Sequence, residues 1–337
     1  METLKSLDGR ARELDTPPQV LSAWLEHLAR FSAEFLAANA DGPAFHGQGA
    51  GPPPRTPLPL TPEPFDAVLE EYRQSVLTRS LVPTSGRFFG YVPGGGLPSA
   101  AIGDFLAALT NPYASVYGAS PGAAQIENSA IQWLIELIGY PAGAWGTLQS
   151  GGSLATLTAV VAAREARPPA ERGRGAVLVR DGDALRNGFS FTSSYLSDVH
   201  QGRESSPADY SPELTRHFRG LRLWMSLKLH GIERFRAALE EKLILAQLAY
   251  ERLAAIPGIE TVPAPQLSCV AFRVRDPGDQ ATDRLLAHLL QRGRVQLSST
   301  RLWGRLYLRL CILCFRSHRS DLEEALGEIE AAVPPGA

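Results

Sequence analysis

The sequence predicts an α/β protein of about two domains. Three observations carry that prediction. The chain has 337 residues, and one domain commonly takes roughly 150. A short stretch, Thr147–Gln149, runs into Ser150-Gly151-Gly152-Ser153 and straight on into a helical pattern, a strand–turn–helix unit. Near the C-terminus Leu306, Leu308, Leu310 and Ile312 alternate at period two between helical stretches, as expected of a small α+β domain.

The elements follow in order. Val20, Leu21, Trp24, Leu25, Leu28 and Phe31 share one helical face, so residues 1 to about 45 read as helical. Gly47 to Pro64, with Gly51-Pro52-Pro53-Pro54, is an extended connector. A second helix is predicted from Thr61–Pro62 to about Leu77, with proline at an early helical position. Phe88 to Pro98 is an aromatic, glycine-rich loop, followed by apolar helices over 99–110 and 122–139. The strand at 147–149, a helix over Leu154–Arg167 and a strand over Ala176–Arg180 come next. Gly188–Tyr210 reads as a polar surface loop. A long helical region fills 211–256, broken near Gly231. Strands at 268–274 and 305–315 and helices at 279–292 and 320–333 complete the chain. This divides into a helical segment over 1–80, a central domain over 81–210, and a long helix with a C-terminal domain over 211–337.

Composition excludes several classes. Lys and Arg total 33 against 35 Asp and Glu, a formal charge of −2. A nucleic-acid binder would show a basic footprint, and this balance offers no strong field to an anionic membrane. No run approaches the ~18 apolar residues of a membrane span, and Met1–Asp8 leads into no apolar signal region. The expected location is cytoplasmic. Cys269, Cys311 and Cys314 are too few for a disulfide framework. The lysines are only three: Lys5, Lys228 and Lys242.

Each motif has two readings. The Ser150–Ser153 turn suits a phosphate, because glycines allow close approach and the following helix aims free N–H groups and its positive dipole end at the turn. It equally describes a tight turn with a serine cap. Cys311 and Cys314 have thiol-redox spacing, but in one strand they would face opposite sides, so two buried strand cysteines is the preferred reading. His200, in the polar loop, is the histidine best placed for a role. Arg216, Arg219 and Arg222 recur at i, i+3 and i+6, either an anion site or a solvated basic face. The aromatic loop at 88–93 lines either an apolar pocket or a packed seam.

Taken in order, these segments resemble the group II pyridoxal-phosphate-dependent amino-acid decarboxylases, the aromatic-L-amino-acid decarboxylase-like family. The matching stretches are Thr61–Phe65, Phe88–Pro93, Ala119–Pro121, Glu127–Leu137, Ser150–Thr156, Leu178–Asp181, Arg219–Gly231, and Leu297–Thr300 through Leu308–Cys311 to Phe315–His318. The resemblance implies a fold-type I transferase-like α/β chain, a homodimer, pyridoxal 5′-phosphate as cofactor and a small amino acid as substrate. It places Gly152 and Ser153 at the cofactor phosphate. Tyr91, Pro93 and Gly94 fall on the substrate side. Tyr195 stands as the catalytic-loop tyrosine that returns a proton to the carbanion.

Two departures qualify that resemblance. Leu154 stands where the family usually has glutamate. More seriously, only Arg167–Gly175 separates the helix after the glycine turn from the strand at Ala176, where the family has several βα units. One βαβ crossover alone needs at least ~10–12 residues. The absent block would carry the ring-stacking histidine, the aspartate that pairs with the pyridine nitrogen, phosphate hydroxyls and the Schiff-base lysine. Lys5 is terminal, Lys228 belongs to another motif, and Lys242 follows Glu240 and Glu241 on an expected solvated face. Three outcomes stay open: a decarboxylase with relocated chemistry, a non-catalytic scaffold that dimerises or binds a ligand, and a shortened product with no role of its own. Exposed sheet edges predict poor solubility or rescue by dimerisation. The aromatic loop favours an aromatic or other apolar amino acid over glutamate.

Overall fold

The computed structural model describes residues 11–46, 58–166, 176–189, 206–213 and 216–333. In chain order its helices and strands are α1 (Pro18–Asp41), α2 (Phe65–Ser75), α3 (Pro98–Thr110), α4 (Pro121–Ile138), β1 (Trp145–Leu148), α5 (Gly152–Ala166), β2 (Ala176–Val179) and α6 (Gly182–Phe189). They continue with α7 (Arg219–His230), α8 (Ile232–Ala255), β3 (Ile259–Thr261), β4 (Cys269–Val274), α9 (Gln280–Arg292), β5 (Ser298–Leu302), β6 (Arg305–Cys311) and α10 (Arg319–Ala332). The chain packs as two compact units, one of Met1–Gly95 with Arg236–Ala337 and the other of Gly96–Phe235.

The first unit is built on an antiparallel sheet of order β3-β4-β6-β5. Period-two alternation sends Val270, Phe272, Val274, Leu308 and Leu310 to one face. There they form a core with Leu245, Ala249 and Leu253 of α8, Leu285 and Leu289 of α9, and Leu322, Leu326 and Ile329 of α10. Phe89 joins this core. Its N–H donates to Gln296 O at 2.8 Å and its carbonyl accepts from Cys311 N–H at 2.9 Å, which ties the aromatic loop to the end of β6. Arg87, 4% exposed, donates to Gly42 O at 2.6 Å and reaches Asp321 and Glu324 at 3.4 Å, linking the end of α1 to α10.

In the second unit β1 and β2 form a two-stranded antiparallel sheet, with Trp145 opposite Val179 and Leu148 opposite Ala176. The two strands are neighbours although a helix lies between them in sequence. Ala155, Ala159, Val179, Leu185 and Tyr210 make its core. A second cluster joins Ala107 of α3, Ala123 of α4 and Leu221 of α7.

Several boundaries differ from the sequence reading for identifiable reasons. Helix α2 starts at Phe65 rather than near Thr61, because Pro64 is extended and a residue before proline avoids helical torsions. Helix α6 was not anticipated. Asp181 Oδ1 caps it by accepting the N–H groups of Asp183 and Ala184, both at 3.1 Å. The break at Gly231 falls as expected, with φ of +70° between α7 and α8. Strand β6 ends at Cys311, so Cys314 is not in the same strand. No described helix is long and apolar enough to cross a membrane.

Candidate functional site

The strand–turn–helix unit forms as its sequence suggests. β1 delivers the buried Gln149 to an exposed Ser150, and α5 begins at Gly152. The first helical hydrogen bond runs from Ala155 N–H to Gly151 O at 3.0 Å. The preceding N–H groups therefore have no acceptor within the helix. A Cβ at Gly151 would meet nothing within 4 Å, so the space over the turn is open. Ser153 is exposed and Gly152 half-buried. Beside the turn Gln149 Nε2 donates to Ser211 Oγ at 3.4 Å, and Gln149 Oε1 is buried with no partner among the described residues.

Two arginines hold the end of β1. Arg216 is not part of a helical basic face, because α7 starts only at Arg219 and the Arg216 side chain is 1% exposed. Its guanidinium donates to Leu148 O at 2.9 Å, to Thr147 Oγ1 at 3.3 Å and to Glu127 in a short ion pair. Glu127 also accepts the Gly220 N–H at 3.2 Å. Burial pushes the Glu127 carboxyl up and the Arg216 guanidinium pulls it back down. Arg219 pairs with Glu213 at 2.6 and 3.0 Å and also reaches Leu148 O at 3.3 Å. Arg222 pairs with Asp104 at 2.6 Å. None of the three is a spare cation awaiting an anion.

The other expected positions lie in the first unit. Tyr91 is exposed, with φ of +56°, and its N–H donates to Ser298 Oγ at 3.0 Å. Pro93 is buried. Gly94 is exposed, and a Cβ there would meet nothing within 4 Å. The glycine that the loop requires is the neighbouring Gly95, which sequence reasoning missed. Its φ is +71° and a Cβ would sit 2.9 Å from Phe315 Cδ1, while its carbonyl accepts from Arg316. Tyr195 and His200 lie outside the described residues.

Lys242 corrects an expectation. It is buried, not solvated, and its Nζ donates to Ser317 O at 2.6 Å and pairs with Glu241 at 2.6 Å. Lys228 is exposed on α7, its Nζ 5.8 Å from the centre of the Trp224 ring. Among the described residues no group of three or more His, Cys, Asp and Glu is arranged to hold a metal.

The family model of the pyridoxal-dependent decarboxylase conserved domain matches residues 54–172 and 169–275. The chain belongs to this decarboxylase family. It is 28% identical over 166 residues to an aromatic-L-amino-acid decarboxylase of Bacillus atrophaeus, across 47% of this chain and 35% of that relative. It is also 28% identical over 159 residues to a 3,4-dihydroxyphenylacetaldehyde synthase of Aedes aegypti, across 46% of this chain and 30% of that relative. The matched stretch thus spans about a third of the length of these curated relatives. The fold is similar to that of Oryza sativa TDC, solved with PLP and tryptamine, with a TM-score of 0.85 at 16% identity over 94% of this chain and 98% of that one.

Pyridoxal phosphate is the family's cofactor, and the residues of this decarboxylase relative fit it at one end only. The open glycine turn and the helix N–H groups without an acceptor in the helix suit a phosphate. Among the described residues the aldehyde end finds no matching amine. Lys242 is buried in other bonds, Lys228 is on an exposed helix face, and Lys5 lies outside the described residues.

Proposed function

We propose that this chain is a non-catalytic member of the decarboxylase family that does not decarboxylate amino acids by itself. The carrying observation is the lysine inventory: the sequence has no lysine in or near the Ser150–Ser153 turn, and the two described ones are committed or solvent-facing. The family model matches in two pieces that meet at 169–172, where the sequence lacks the expected βα units. That supports an internally shortened large domain. Gly152 and Ser153 are assigned to a phosphate group. Tyr91, Pro93 and Gly94 are assigned to the side where relatives would receive an aromatic or other apolar amino acid. Tyr195 is assigned to the loop that would return a proton. Without an amine to exchange with substrate, these residues bind and orient but do not turn over. The role we assign is a cytoplasmic homodimeric scaffold.

The test is an absorbance scan with added pyridoxal phosphate, followed by borohydride reduction and peptide mapping. The expected result is free-aldehyde absorbance and no adduct concentrated on one lysine. A visible imine band that becomes a stable adduct on Lys228 or Lys242 overturns the proposal and restores the enzyme reading. Phosphate occupancy of the turn is tested separately, by competition of inorganic phosphate with pyridoxal phosphate in Ser153→Ala and wild-type protein.

A further inference from the structure

Cys269 and Cys311 stand directly opposite each other on β4 and β6, with their sulfurs 3.5 Å apart. Their pairing is of the close kind. The neighbouring Ile312 N–H bonds across the sheet to Ser268 O at 2.8 Å, whereas the Cys311 N–H turns away to Phe89 O at 2.9 Å. Opposed residues that exchange no backbone bond have Cα atoms about 4.5 Å apart, inside the roughly 4.4–6.8 Å range of disulfides. The sulfurs need to approach by only about 1.5 Å to reach bonding distance.

The surroundings distinguish the two thiols. Cys269 is exposed, while Cys311 is 3% exposed. Arg309 lies two residues before Cys311 and opposite Ala271, on the same face as both sulfurs. Its Nε has no hydrogen-bond partner among the described residues. The hydrogen bond from Cys311, with the Arg309 charge, holds the Cys269 thiol down at about 7 against desolvation. The same interaction pushes Cys311 up. An accessible thiolate beside a protonated buried thiol is the arrangement of an attacking and a resolving cysteine.

We infer that Cys269 and Cys311 form a peroxide-sensitive thiol pair that closes to a cross-strand disulfide. The oxidant is a hydroperoxide. The Cys269 thiolate attacks its outer oxygen, an S–O bond forms, the O–O bond breaks, and the departing alkoxide or hydroxide takes up a proton. Sulfur loses two electrons and the peroxide gains them. Cys311 sulfur then attacks Cys269 sulfur, an S–S bond forms, and the S–O bond breaks. The hydroxide leaves as water with the Cys311 proton. The closed pair would lock β4 to β6 beside the aromatic loop, because Cys311 holds Phe89 O and the adjoining Ser298 holds Tyr91 N–H.

The test treats the full chain with hydrogen peroxide, alkylates the remaining thiols and maps the peptides. The expected result is an intramolecular Cys269–Cys311 link, reversed by dithiothreitol, with Cys314 still open to alkylation after unfolding. Before oxidation Cys269 should alkylate at least about tenfold faster than Cys311 or Cys314. In Cys311→Ser, dimedone should trap a sulfenic acid on Cys269. Free Cys269 and Cys311 after peroxide, a link through Cys314, or a link only between chains would each overturn the inference in the wild-type protein, whatever the variant does.

Discussion

Arg216 and Glu127 are the residues on which the end of β1 depends. Truncating Arg216 to methionine leaves a buried carboxyl without its partner, which typically costs about 3–5 kcal/mol. Urea denaturation of Arg216→Met should therefore show a large drop in midpoint, and the double variant with Glu127→Leu should recover much of it. The acid side of the stability curve has a separate source. The hydrogen bond from Arg219 holds Glu213 below its ordinary 4.5. A depressed folded value gives stability that is complete above 4.5 and is lost as pH falls through the folded value. Glu127 has the opposite sign, since burial raises it and its share declines as pH rises above 4.5. In thermal melts Glu213→Gln should flatten the acid limb and leave the neutral plateau less stable. Neither arginine role was legible locally: the spacing of Arg216, Arg219 and Arg222 reads as one helical face, and only contacts 69 and 89 residues away place Arg216 indoors.

At the scale of elements, α4 and α7 meet where Gly220 faces Glu127. A Cβ at Gly220 would lie 2.6 Å from the Glu127 Cα, a backbone atom that cannot swing aside. Gly220→Ala should separate the helices and cost roughly 1–3 kcal/mol, the usual range for overpacking. Gly327, inside α10, meets nothing within 4 Å. Gly327→Ala should stabilise by about 0.4–1 kcal/mol through the unfolded chain. Paired chemical denaturation curves would check both signs, and equal effects would mean that the α4–α7 approach is looser than the structure has it. Elements with strong local signals were readable: the helices flanked by proline, the glycine turn into α5, and the alternation of β6. The strands β3 and β5 were not, because Ile259–Thr261 and Ser298–Leu302 carry little alternation of their own and are fixed by pairing with β4 and β6.

For the whole molecule the scaffold we propose is a dimer. Val20, Trp24 and Leu28, at i, i+4 and i+8 on α1, are each 38–39% exposed, an apolar stripe that a second copy would cover. Light scattering after gel filtration should report twice the chain mass with a cooperative melt. Polydisperse aggregate would instead favour a broken product over an evolved scaffold. The sequence by itself determined the family, most of the helices and the glycine turn, because each rests on local periodicity, turn chemistry or an ordered run of motifs. It also determined that lysine is scarce, which needs no coordinates. Only the tertiary structure decided which polar side chains are committed. Lys242 looked solvated beside Glu240 and Glu241, yet its amine is bound 75 residues away at Ser317. Cys311 looked like an unpaired buried strand cysteine, yet its sulfur lies against that of Cys269, 42 residues away on the neighbouring strand. Strand pairing and burial join residues distant along the chain, and no local pattern encodes which ones will meet.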